Sequence, residues 1–268
     1  MFTGDYGFFA YKYDIPGYSG QDYGGPAQYV YLAVSLVLLI ALLTALRKTD
    51  RRTVSRIIGG LGVFLTLFYL AKTCWESCYD IRRSGAFNTG LLPFDTCSLI
   101  MPACLLAGFG KGRARELAEG WIATGGIVGG VATMMFLHAF KYYPFLSFGA
   151  FYSMLWHFLM VFSGLLLIVT DPARLPFSAV RDGYLFHVLA SVLVIPIDFI
   201  FGFDFMLYRE LGGVPFFEGL AARLTAKGFA FLNPLLMLAL YFGAFCIIYL
   251  AAGIGRRKHM PSAAPGHA

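Results

Sequence analysis

Seven runs of about twenty mostly apolar residues divide this chain, the length a helix needs to cross the ~30 Å hydrocarbon core of a bilayer. They fall near 27–46, 54–78, 90–109, 118–140, 148–169, 182–203 and 229–254. A helix that is apolar on every side must be covered by protein or by lipid, and seven such helices in a short chain cannot all hide inside one another. Composition agrees: 13% of the residues are charged, about half the ~25% of a soluble domain, and mean hydropathy is +0.68. The expected fold is all-α, a polytopic membrane protein with a bundle of about seven transmembrane helices. Lys72, Glu76, His138, His187 and Asp198 interrupt the second, fourth and sixth runs.

Residues 1–26 are rich in Tyr and Gly and lack the basic-then-apolar order of a cleavable signal, so the first span is expected to serve as the targeting signal. The tyrosines there (Tyr6, Tyr11, Tyr13, Tyr18 and Tyr23) suit either a lid or anchoring at the interface. Residues 27–254 are expected to form a single transmembrane domain, followed by a disordered cytoplasmic tail over 255–268. Thirteen Lys and Arg fall on one side of the spans, including Arg47, Lys48, Arg51, Arg52, Arg56 and Lys111, against eight on the other. The positive-inside rule then puts the N-terminus outside and the C-terminus in the cytoplasm. The net charge of +6 is dispersed over short loops, so nucleic acid is not an expected partner.

Ionisable groups inside a membrane are costly, and they usually face a wet cavity or each other. With that orientation, Lys72 and Glu76 lie near the outer end of the second span and His138 near that of the fourth. Asp198 and Asp204 close the sixth span on the same side, and Asn233 opens the seventh. Asp95 and Cys97 lie one to two turns into the third span. At ~1.5 Å per residue Cys97 is roughly 10 Å deep, and His157 roughly 14 Å deep in the fifth. A polar cup opening to the exterior or the outer leaflet is expected, above an inner half that is nearly pure Leu, Ile, Val, Phe and Ala. Gly125 and Gly129, with Gly126 and Gly130, form overlapping GxxxG pairs that suit close helix packing.

Depth brings Cys97 and His157 to one level. A thiol attacks as its thiolate, and an imidazole is the usual base that produces it. Residues two apart on an ideal helix point about 200° apart, so Asp95 is not expected to share a focus with Cys97. The partner must come from another span, and His157, with Ser153 one turn above it, is the candidate. Such a pair suits attack on an ester carbonyl, with the acyl chain then carried as a thioester.

Two other readings stay open at this point. Asp95, Glu76 and Asp198 could pair with Lys72, Arg82 or Arg83 to fix the helices, or hold a lipid or small cation without catalysis. A metal-dependent hydrolase could draw on Ser153, His157, Asp95, Asp198 and His138, although the paired His four residues apart that helical zinc sites use is missing. No metal and no cofactor is expected, and the last span has no Lys to carry retinal. The five cysteines show no metal-binding spacing, and Cys74 and Cys78, four apart on a helix, are poorly placed to bridge.

LLPFDTC, at 91–97, resembles the LPLHLC segment of the bacterial YwaF-like integral membrane family. YSMLWHF resembles that family's histidine-bearing fifth span, and IDFIFGFDFMLYRE its INxxxGxNYMYL ending of span six, with Asp198 and Asp204 in place of asparagines. Glu76 matches a Glu near the end of span two, and Asp95 stands where the bacterial pattern often has His. The related animal family, transmembrane protein 164, is regarded as an acyltransferase that remodels phospholipids, especially ether lipids, through a cysteine and a histidine. The resemblance therefore implies a bacterial plasma-membrane acyltransferase with a phospholipid or lysophospholipid as partner. Cys97 would be its nucleophile and His157 its base. Asp95, Glu76, Asp198, Asp204, Asn233, Ser153 and His138 would orient the imidazole or the substrate.

Overall fold

The structure is a computed structural model that describes residues 7–11, 25–135, 143–171, 176–211 and 215–257. Helix α1 (Pro26–Leu46) starts with Pro at its first position, where the missing N–H costs nothing. It is apolar all round and is held to the bundle by polar ties. Gln28 Nε2 donates to the Met135 carbonyl at 2.5 Å, and Tyr31 OH to that of Met154 at 2.9 Å. The rest of α1, such as Val37 at 67% exposure, is left for lipid. Helix α2 (Arg51–Ser84) starts at Asp50, whose carboxylate accepts from the Arg52 and Thr53 N–H groups. It ends at Gly85, left-handed at φ 73°. Its 34 residues make about 50 Å of helix, so its last turns pass beyond a ~30 Å hydrocarbon core. Arg82 and Arg83 lie there.

The third passage is not the regular helix expected over 90–109. Short 3-10 turns at Thr89–Leu91 and Thr96–Leu99 lead into α3 (Ile100–Phe109). Pro93 is the cause: a residue before proline is driven out of the helical region, and Leu92 is extended at φ −70°, ψ 147°. Helix α3 then crosses α2 at glycine-to-glycine distance. A Cβ placed on Gly108 would lie 2.2 Å from the Gly59 Cα. Gly108→Val is accordingly expected to destabilise the fold by about 3 kcal/mol, read as a fall of about 10 °C in the melting temperature in detergent. A wild-type melting temperature would contradict the close crossing.

The fourth passage is contiguous over 112–135, beginning before the expected 118. It comprises α4 (Gly112–Trp121), a π-helical turn (Ile122–Gly126) and α5 (Ile127–Met135). The paired glycines pack as expected: a Cβ on Gly125 would meet Trp121 and Phe245, and one on Gly130 would meet Val161 and the His157 carbonyl. Helices α6 (Phe148–Thr170), α7 (Phe177–Phe201), α8 (Pro215–Ala226) and α9 (Asn233–Arg257) complete the chain. Among the described residues six helical stretches are long and apolar enough to span a membrane, against the seven expected, and the composite 112–135 passage packs within the bundle beside them. The described residues thus form an all-helical polytopic bundle with Trp121, Trp156, Met160 and Phe245 at its centre. At the Arg-rich end Arg113 grips Asp182 with two bonds of 2.7 Å, tying α4 to α7.

Between α7 and α8 the chain turns back into the bundle. Gly202 ends α7 at φ 74°, and Met206, Leu207 and Leu211 then adopt left-handed backbone that side-chain-bearing residues avoid. Tyr208 OH contacts Ser191 Oγ and lies 3.1 Å from His187 Nε2. Ser191 stands ten residues, or about 15 Å, before the end of α7, so this loop is re-entrant. Irregular backbone at that depth is tolerated where protein buries it, and Phe205, Met206, Tyr208 and Leu211 are all buried. At the same end of the bundle, Gly7–Tyr11 packs on α2 and α6. Phe148 N donates to the Phe8 carbonyl at 2.6 Å, and Phe9 and Tyr11 face Trp75.

Candidate functional site

Cys97 and His157 stand on the wall of one cavity of about 90 Å³, room for roughly three waters. The cavity lies between α2, the broken start of the third passage and α6, at the end away from the Arg-rich loops. Lys72 and Tyr69 contribute the α2 wall, Tyr152 and Trp156 the α6 wall, and Asp95 and Ser98 the third.

Cys97 sits in the first turn of a helical segment. No preceding turn of carbonyls exists there to accept the first N–H groups, so a partial positive charge faces the sulfur's end of the helix. The backbone at this point is fixed from outside the segment: the Trp156 indole N–H donates to the Cys97 carbonyl at 3.2 Å. Thr96 Oγ1 and Tyr241 OH are 2.6 Å apart, joining the segment to α9, and Phe94 packs edge-on against Phe205 of the re-entrant loop. The nucleophile candidate thus lies on a strap held between α6, α9 and that loop.

His157, 8% exposed, has its Nδ1 2.7 Å from the Ser153 carbonyl oxygen. A carbonyl only accepts, so Nδ1 carries the proton and Nε2 keeps its lone pair. That is the tautomer a general base needs. The orienting group is therefore a backbone carbonyl one turn back on the same helix, not the side chain of Ser153 nor any of the carboxylates considered from the sequence.

The other candidates separate into two groups. Asp95 shares the cavity with Cys97, because the strap is not an ideal helix and the 200° separation does not apply. Its carboxylate makes no cap to the turn that follows it. Glu76 is buried just behind the wall, ion-paired with Lys72 and bonded by Tyr143 OH. Asp198, Asp204 and Asn233 do not reach the cavity. Asp198 Oδ1 accepts from Phe205 N at 2.9 Å, and Asp204 Oδ1 from the N–H groups of Arg209 and Glu210 at 2.7 and 3.0 Å. Asn233 Nδ2 donates to the Arg209 carbonyl at 2.8 Å. These three secure the re-entrant loop rather than lining the cavity. His138 lies outside the described residues. Among the described residues no three His, Cys, Asp or Glu side chains gather as metal ligands. All five cysteines are free thiols, with Cys74 and Cys78 exposed.

A multi-pass helical bundle with a thiol and an imidazole on one small intramembrane cavity defines a class of membrane protein built around a buried polar site. Residues 23–254 match the TMEM164 family, which covers most of the chain, and the chain belongs to that family. No curated protein and no solved structure matches it.

Proposed function

We propose that this protein is a membrane-embedded acyltransferase that moves a fatty acyl chain between phospholipids through Cys97 and His157. The observation that carries the reading is the shared cavity, about the size of an ester group, whose lining includes both Cys97 and His157, with the Nδ1 of His157 bonded to a backbone carbonyl so that Nε2 keeps its lone pair. Family membership and the resemblance to lipid acyltransferases support it. The lipid's acyl chain, too large for the cavity, would extend along the bundle surface. The positive-inside count argues for a cavity opening toward the outer leaflet of a bacterial plasma membrane.

The chemistry balances in two halves. His157 Nε2 takes the Cys97 thiol proton as Sγ attacks the ester carbonyl carbon, and the carbonyl π pair moves onto oxygen. That tetrahedral intermediate collapses by breaking the C–O bond, and the departing glycerol oxygen takes the proton from His157. A lysophospholipid and a Cys97 thioester result. The acceptor lysolipid's hydroxyl then gives its proton to Nε2 and attacks the thioester. The Cys97 thiolate leaves and is reprotonated by His157.

Purified protein in vesicles containing a phospholipid with one labelled acyl chain, plus an unlabelled lysophospholipid, tests this. Label should appear in the newly made phospholipid. Vesicles in which the label stays on its donor, and is not released as fatty acid, would remove the reading.

A further inference from the structure

Attack on an ester creates a negative oxygen, and catalysis of acyl transfer usually depends on donors aimed at it. We propose that Lys72 is that donor, a catalytic residue whose ammonium stabilises the oxyanion formed when Cys97 attacks; the proposal rests on the acyl-transfer reading above. Lys72 projects from α2 onto the same cavity wall as Cys97 and His157. Its side chain is 17% exposed, so it is not a solvated surface lysine. Glu76 Oε2 is ion-paired with its nitrogen. The nitrogen also lies 5.6 Å from the centre of the Tyr152 ring.

Two anchors therefore fix the ammonium's position; the ion pair with Glu76 engages one of its three N–H groups, and among the described residues no other oxygen or nitrogen accepts from the remaining two. A cation held in place with donors to spare, beside a nucleophile, is the arrangement an oxyanion requires. Glu76 has a separate task. Tyr143 and Lys72 hold it buried, and its charge compensates the ammonium while leaving two of its donors free for substrate. The same cation could instead bind the phosphate of a lipid headgroup, which is also an anionic oxygen, so the test must separate the two.

Replacing Lys72 alone would leave the Glu76 carboxylate buried without its cation, a fault that by itself destabilises a protein. The informative variant is Lys72→Met with Glu76→Gln, made in protein lacking Cys74, Cys78 and Cys246 so that labelling reports on Cys97. Acylation of Cys97 is followed in a single turnover with a long-chain p-nitrophenyl ester, which has no phosphate, and with phospholipid vesicles. Iodoacetamide alkylation of Cys97, which forms no oxyanion, is measured beside it. The double variant should be acylated about 10²-fold or more slowly by both esters and alkylated within about threefold of the parent rate. Lys72→Arg, which keeps a cation, should be acylated within about tenfold of the parent.

Acylation of the double variant at the parent rate would overturn the role. So would a loss seen only with phospholipid, which would make Lys72 a phosphate ligand, or an equal loss of alkylation, which would make its effect one on the thiol or the fold. A folded Lys72→Arg slower than a hundredfold would also contradict it. A parent protein that neither ester acylates would instead overturn the acyl-transfer reading itself, and the role of Lys72 with it.

Discussion

Cys97→Ala is expected to lower acyl transfer between phospholipids in vesicles by about 10³-fold or more while leaving the melting temperature within a few degrees of wild type. The kinetic loss is large because no other thiol stands on the cavity wall. Cys104 is buried in the core, and Cys74 and Cys78 are exposed on α2. The structural cost is small because the strap's position does not depend on the sulfur. Trp156 holds the Cys97 backbone carbonyl, Tyr241 holds Thr96, and Phe205 packs on Phe94, all of which an alanine leaves in place. Cys97→Ser should lose nearly as much transfer, since a hydroxyl in the same position is a far weaker nucleophile without a stronger base. Transfer by folded Cys97→Ala at a tenth of the wild-type rate or above would mean that the thiol is a bystander.

His157→Gln is expected to reduce transfer by about 10²–10⁴-fold, the range associated with losing a positioned general base. It should also slow iodoacetamide alkylation of Cys97, because the bare Nε2 that draws off the thiol proton is gone. That double signature distinguishes His157 from Lys72, whose removal should spare alkylation. The stability cost should again be modest. The Ser153 carbonyl that Nδ1 contacts sits within α6 and keeps its ordinary helical acceptor role when the ring is lost. If His157→Gln retained full transfer, the base would have to be sought elsewhere on the wall, where Asp95 supplies a carboxylate.

The spanning helices were legible because hydrophobic length is a coarse signal that lipid thickness enforces. Their interruptions were less so. Pro93 announces a break in the third passage, but only the structure shows that it converts the Asp95–Cys97 stretch into a strap on which both residues reach one cavity. The re-entrant loop was illegible for a sharper reason. Met206, Leu207 and Leu211 hold left-handed backbone, which residue preference assigns to Gly or Asn, so no local pattern marks the reversal. Asp198, Asp204 and Asn233 therefore read as lining a cup, whereas each of them is bonded to main-chain groups of that loop.

Backbone partners explain the other misreadings as well. Ser153 attracted notice for its hydroxyl, whereas its carbonyl sets the His157 tautomer. Trp156 attracted none, although its indole fixes the Cys97 carbonyl. Lys72 and Glu76 were recognisable as a pair from their spacing of four on α2. The ammonium's second face, toward the cavity, depends on how α2 is rotated against α6, and sequence spacing does not determine that rotation.

The most direct test of acyl transfer through this cavity is the mass of the Cys97-containing peptide after a brief exposure of the vesicle-embedded protein to phospholipid without acceptor. Cys97 should gain the mass of one acyl group. Neutral hydroxylamine should remove it, as it removes a thioester, and added lysophospholipid should discharge it at least as fast as the overall transfer proceeds. Transfer that runs at full rate while Cys97 remains unmodified, or an acyl group found on another residue and discharged in its place, would contradict the mechanism.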